Sequence, residues 1–290
     1  MRHLLKVALA VCALVGAMAA GAQAQSPTLY FSAIPDDDET KLVQRFNKVA
    51  DYLSKQLGVA VKYVPVKSYP AAVTAFRNDQ IQLAWFGGLS GVQARLAVPG
   101  SQALAQGEED AGFVTYFIAH ESTKLSESKD FPLAAKGMTF SFGAKTSTSG
   151  RLMPEFHIRD KTKQAPEEFF SRVGFSGDHG QTLRLVATGA YQVGALNFTV
   201  YDEAVEKKLA EATTTRLIWK TPPFPDYNWT IRGDVDQRFG AGFTAKVKAA
   251  LLGMKDPDLL ASFPRKSFIP AANADYEPIE KTGKALGLLE

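Results

Sequence analysis

Cysteine is almost missing: the chain of 290 residues has one, Cys12. It lies inside an apolar N-terminal run. Beyond that run there is no disulfide and no thiolate metal site, whatever compartment the protein enters. Histidine is scarce as well, four in all, and His120, His157 and His179 do not space like zinc ligands. Neither sign of charge prevails, since 33 basic side chains face 30 acidic ones. A nucleic-acid binder usually concentrates basic residues on one surface, and this balance requires no such surface. The glycine–lysine–serine pattern of nucleotide phosphate loops is missing. So is a serine in a nucleophile elbow, and no lysine or acid stands out as a general base. Together these absences argue for binding without chemistry: no enzyme, no cofactor, no nucleic acid.

What is present begins with "MRHLLKVALAVCALVGAMAAGAQA". Arg2 and Lys6 precede an apolar run, and "AQA" closes it with small residues. This is the layout of a secretory signal peptide over residues 1–24, cleaved near Ala24. The run is short for a membrane span, and Cys12 falls too early in it for lipid attachment. No second long apolar run follows.

Strand and helix patterns then alternate. "TLYFSAI" reads as a strand. "ETKLVQRFNKVADYLSKQL" carries one apolar stripe and is closed by Gly58. "VAVKYVPV", a helix opening at Tyr69, "IQLAWFG" and "LSGVQARLAV" continue the alternation, which predicts a parallel sheet covered on both faces. After "GFVTYFIAH" a polar segment over 121–130 suggests a domain crossing, and the pattern restarts with "MTFSFG". A single helix is expected over "DEAVEKKLAEA". "TPPFPDYNW", with three prolines, cannot be a helix interior and is expected to be the return crossing. The predicted organisation is α/β in two lobes: 25–120 plus 224–290, and an inserted 121–223, with a hinge between them.

"AKTSTSGRLMP" follows the strand "MTFSFG". Ser147, Thr148, Ser149 and Gly150 lie at a helix start, where hydroxyls and free N–H groups either cap the helix or hold an anion. Pro154 is awkward in a continuous helix and suggests a separate first turn. Tyr69, Ser90 and His179 also follow strands at helix starts. In open α/β sheets that edge is where ligands bind. Each has an ordinary alternative: a sheet-edge tyrosine, a plain turn, a lone histidine.

The stretches "YPAAVTAFRNDQIQLAWFGGLSG", "FSFGAKTSTSGRLMP", "GFSGDHGQTLRLVATGAYQVGAL" and "RLIWKTPPFPDYNWTIRGDV" resemble periplasmic substrate-binding proteins of ABC importers, in the phosphate–phosphite–phosphonate-binding family. The resemblance implies a two-lobed type II binding fold. It implies a tetrahedral oxyanion clamped between the lobes by Ser147, Thr148, Ser149, Tyr69 and His179, and a monomer that delivers its ligand to a membrane permease. Gly87–Gly88 and Gly91 depart from the family's glycine–proline and tyrosine, so an aromatic wall is missing. Where phosphonate binders place acids for a ligand amine, this chain has Asn197 and Tyr201, with Asp202 displaced. "FGGLSGVQAR" and "SAIPDDDE" look closest to a branch labelled as selenate-binding. Selenate and sulfate carry no proton near neutral pH and suit a site of donors only. Phosphate and phosphite retain one and want an acceptor. Asp36, Asp37 and Asp38 either supply it or cap the first helix.

Overall fold

The structure, a computed structural model, describes residues 27–289. The leader expected over residues 1–24 lies outside that range. Leu29, Phe31 and Ala33 are buried along β1 (Leu29–Ala33), and Leu42, Phe46, Val49, Leu53 and Leu57 form the buried face of α1 (Glu39–Leu57). Asp38 caps α1 by accepting from the Thr40 and Lys41 N–H groups, and Gly58 ends it at φ 69°, where a side chain would be strained. Next come β2 (Val61–Tyr63), α2 (Tyr69–Arg77), β3 (Leu83–Phe86), α3 (Gly88–Ala97) and β4 (Gln102–Gly107). β1 pairs parallel with both β2 and β3.

β5 (Thr115–His120), β6 (Thr139–Phe142), α4 (Met153–Thr162), β7 (Arg172–Phe175), α5 (His179–Ala187), β8 (Val193–Asn197), α6 (Phe198–Glu206) and β9 (Thr215–Lys220) build a second unit. Its sheet has the order β7-β6-β8-β5-β9. The chain then returns through β10 (Asn228–Ile231), which lies antiparallel between β3 and β4. β11 (Phe268–Pro270) completes a six-stranded sheet of order β11-β4-β10-β3-β1-β2. α7 (Phe243–Leu252) packs on α1, and α8 (Glu277–Ala285) packs on α3.

Three expectations change. The crossing falls before β5 rather than after His120, because β5 pairs with β8 and β9 in the second sheet. The sheets are mixed rather than all-parallel. Parallel pairs occur where a helix covers the connection, but the crossing strands join the lobes directly and pair antiparallel. The helix expected over "DEAVEKKLAEA" breaks at Lys208, whose φ is 52°, and resumes at Ala210–Thr214.

Each lobe has its own aromatic core. Trp85, Trp229, Phe31 and Phe263 pack in the first, and Phe117, Phe140 and Trp219 in the second. The two crossing strands are tied to each other: Phe113 and Phe224 exchange N–H···O bonds of 2.9 Å, and Asp226 N–H donates to the Asp110 carbonyl at 3.0 Å. Beneath them Arg265 donates from Nε and Nη2 to the two carboxylate oxygens of Asp110, at 2.8 and 2.7 Å, with side chains 2% and 0% exposed. The guanidinium also lies over the rings of Phe113 and Tyr227.

Removing one member of such a buried pair strands the other charge. Asp110→Ala should lower the unfolding free energy by about 3–5 kcal/mol, measured by urea denaturation. A loss below about 1 kcal/mol would show that water reaches the guanidinium.

Candidate functional site

Four helical segments begin at the gap between the lobes. α2 opens at Tyr69 and α3 at Gly88, both from lobe 1. α5 opens at His179, and the segment leading into α4 opens at Thr148, both from lobe 2. Each points the positive end of its dipole at the gap, and at α3 the Gly88 and Leu89 N–H groups are already paired with side chains there.

The hydroxyl run is held tightly. Ser147 Oγ accepts from Gly150 N–H at 2.9 Å. Leu152 N–H reaches back five residues to the Ser147 carbonyl at 3.0 Å, so Thr148–Leu152 is a wide π-turn running directly into α4. Pro154 lies in the first turn of α4 and has no N–H for the Gly150 carbonyl. Gly143, at the end of β6, supplies the missing donor at 2.8 Å. The separate first turn expected from Pro154 is thus a π-turn within one continuous segment. A Cβ on Gly150 would stand 3.1 Å from Gly143 Cα and 3.1 Å from His179 Cε1. Only glycine lets the histidine ring lie against the run.

His179 is fully buried, and its Nδ1 accepts from the Asn197 backbone N–H at 3.2 Å. The neutral ring therefore carries its proton on Nε2. Burial pushes the imidazole down to about 4, so it is neutral at pH 7. Nε2 is buried without a protein partner, as are Tyr69 Oη, Ser149 Oγ and Asp226 Oδ2. An unmet buried polar atom costs about 1–3 kcal/mol, so several at one place mark a position for a ligand. The hydroxyl run connects them: the His179 ring lies against Gly150. The Thr148 and Ser149 hydroxyls lie beside the Asp226 carboxyl, and Ser147 lies beside the Tyr69 hydroxyl. Asp226 Oδ1 accepts from Gly88 N–H at 2.9 Å, which leaves Oδ2 to face the gap.

Tyr69, Ser149 and His179 each have a buried polar atom without a protein partner. Thr148 takes a second role, because its Oγ1 accepts from Leu89 N–H across the gap at 2.9 Å. Ser147 both caps the run and neighbours Tyr69. Ser90 is the exception: its hydroxyl donates to the Gly87 carbonyl at 3.2 Å, so its proton is spent within its own helical turn. The three aspartates separate. Asp38 caps α1, Asp37 pairs with Arg45 and Lys41, and Asp36 turns inward beside the Tyr227 hydroxyl, its carboxyl raised by burial to about 6. Tyr201 donates to the Thr215 carbonyl, and Asp202 lies by Tyr116 and lines an opening between the lobes with Arg45 and Lys48.

Sequence reading missed Asp226. The stretch "TPPFPDYNW" pointed only to a crossing, although an acid two residues before a strand is the available signal. Burial raises Asp226 to about 7 against its ordinary 3.8, and it takes part in no ion pair among the described residues. The cleft thus offers neutral donors, helix N-termini and two buried carboxyls, Asp226 and Asp36.

A family model described as "ABC transporter, phosphonate, periplasmic substrate-binding protein" matches residues 31–276. The chain belongs to this family. It is similar to the probable ABC transporter phosphite binding protein PhnD1 of Prochlorococcus marinus (strain MIT 9301), 39% identical over 265 residues, 89% of each chain. The solved structure of PhnD1 in complex with methylphosphonate matches at a TM-score of 0.86 and 40% identity, covering 90% of this chain and 98% of that one. A binding protein component of an ABC phosphonate transporter from Pseudomonas aeruginosa shares the fold at a TM-score of 0.77 and 21% identity, covering 89% and 85%. The chain is therefore the periplasmic binding component of an ABC importer, with the two-lobed fold of its family and a transport role rather than an enzymatic one.

The perturbed groups bear on stability with opposite signs. Folded Asp226 keeps a proton that the unfolded chain releases, so its contribution is lost as pH rises from about 4 to about 7. His179 and His157, both near 4 when folded, stay neutral where the unfolded chain protonates, so their contribution is lost as pH falls from about 6.5 towards 4. Asp226→Asn removes only the first. In differential scanning calorimetry without ligand, this variant should melt above the parent protein at pH 8, with the difference shrinking towards pH 4. Equal melting at both would mean that the Asp226 carboxylate is solvated.

Proposed function

We propose that this receptor binds a small phosphorus oxyanion that carries a proton, phosphite or methylphosphonate, and delivers it to the permease. The observation that supports this is Asp226 Oδ2, an unpartnered acceptor among the donors Tyr69, Ser149 and His179. A P–OH group can donate to that carboxylate. Above about pH 7, where Asp226 is ionised, selenate and sulfate bring no proton and their charge would meet the carboxylate unrelieved. The donors-only site expected for a selenate-type ligand is accordingly set aside. The names of the similar proteins, a phosphite binding protein and a complex with methylphosphonate, agree with this choice. The same reading takes the leader to be removed near Ala24 and the protein to act as a monomer. Its lobes meet at the paired strands around Phe113 and Phe224.

Isothermal titration tests the choice of ligand. Phosphite or methylphosphonate should bind at about 1 µM or tighter, a free energy near −8 kcal/mol, with sulfate and selenate far weaker. Ser149→Ala and Asp226→Asn should each cost about 1.5–3 kcal/mol with the phosphorus ligands, one to two decades in affinity. Asp226→Asn should in addition improve sulfate binding. Tighter binding of sulfate or selenate than of phosphite to the parent protein would sink the role given to Asp226.

A further inference from the structure

Asn197 lies in lobe 2 at the end of β8, and its side chain is fully engaged. Oδ1 accepts from the Thr199 N–H at 2.8 Å and from the Thr199 hydroxyl at 2.9 Å, capping α6. Nδ2 points across the gap and donates to the Tyr227 hydroxyl of lobe 1 at 3.3 Å. Tyr227 is itself fixed. Its ring stacks on Trp85 at 5.5 Å with an interplanar angle of 25°, and the Arg265 guanidinium lies 5.1 Å over it. Its hydroxyl proton is left to face the carboxyl of Asp36. The Asp36 carbonyl accepts from His179 N–H at 3.4 Å, again with the donor in lobe 2 and the acceptor in lobe 1. The Asn197 backbone N–H is the group that fixes the His179 tautomer.

We propose that Asn197 and Tyr227, backed by Asp36, form an interlobe latch that sets the ratio of closed to open protein without touching the ligand. The partners belong to different lobes, so the bond exists only when the gap is closed. A ligand that needs the closed form binds in proportion to the closed fraction. One neutral hydrogen bond changes such a ratio by roughly three- to tenfold. Asn197 and Tyr227 are positioning residues on this view. The inference rests on closure and not on which oxyanion is bound.

The test uses Asn197→Ser, which keeps a capping hydroxyl at the head of α6 but cannot reach Tyr227. It also uses Tyr227→Phe, which keeps the stacked ring, and the double variant. The only cysteine, Cys12, lies in the leader. Spin labels can therefore be placed through Lys55→Cys on lobe 1 and Lys161→Cys on lobe 2, both exposed. The interlobe distance distribution is read without ligand and with phosphite. Methylphosphonate association and dissociation rates are read by stopped flow. Each single variant should lower the ratio of closed to open protein roughly three- to tenfold and speed dissociation by the same factor, with association unchanged. The double variant should go no further than the stronger single. Unchanged distances, or effects that multiply in the double variant, would overturn the latch. If the parent protein bound neither phosphite nor methylphosphonate, the ligand assignment would fail, while the ligand-free distances would still decide the latch.

Discussion

The bond from Gly143 N–H to the Gly150 carbonyl holds the cleft in shape. It fastens the hydroxyl run to the end of β6, where Pro154 leaves the preceding turn one N–H short. With the run so held, Gly150 leaves room for the His179 ring, and Ser149 is presented to the opposite lobe. Loss of either glycine would push the histidine or the strand away. The arrangement of the donors is thus a backbone property first and a side-chain property second.

The electrostatics follow from the same economy of groups. A salt-bridging arginine in the gap would hold any anion, proton-bearing or not. Here the positive end is supplied by helix termini, whose dipoles are fixed by the fold and cost nothing to reorganise. Two buried carboxyls, Asp226 and Asp36, lie beside the donors, and burial raises both. Selection then rests on where a ligand keeps its proton, a finer distinction than charge or size. The Asp110–Arg265 pair stands outside this chemistry. It lies under the crossing strands and steadies the backbone from which Asp226 projects.

Much of this could be read in the chain before the fold was known, and the reasons are specific. Tyr69, Thr148 and His179 each follow an apolar strand and open a helix, a local pattern that periodicity exposes. Ser90 follows the same pattern, yet its hydroxyl bonds back to Gly87, a choice made by rotamer and not by spacing. Asp226 was not visible, since a proline-rich crossing has no period from which to tell which side chain faces the gap. The lobe boundary slipped past β5 because a strand's sequence does not say which sheet receives it. Parallel sheets were expected from alternation, and only the helix-covered connections obey that rule.

The π-turn at Thr148–Leu152 carries one more residue than an ordinary helical turn would hold. Each residue of an α-helix advances its side chain by about 100° around the axis. A deletion of a single residue in this turn would restore a regular helix and shift the hydroxyls by about 100° relative to Leu152 and Met153, which pack in the lobe 1 core. It would also swing the Ser149 hydroxyl out of the gap. Grip on the ligand and the phase of the helix are the same quantity in this protein, so the reading frame of one turn is as much a part of the receptor as any side chain that lines it.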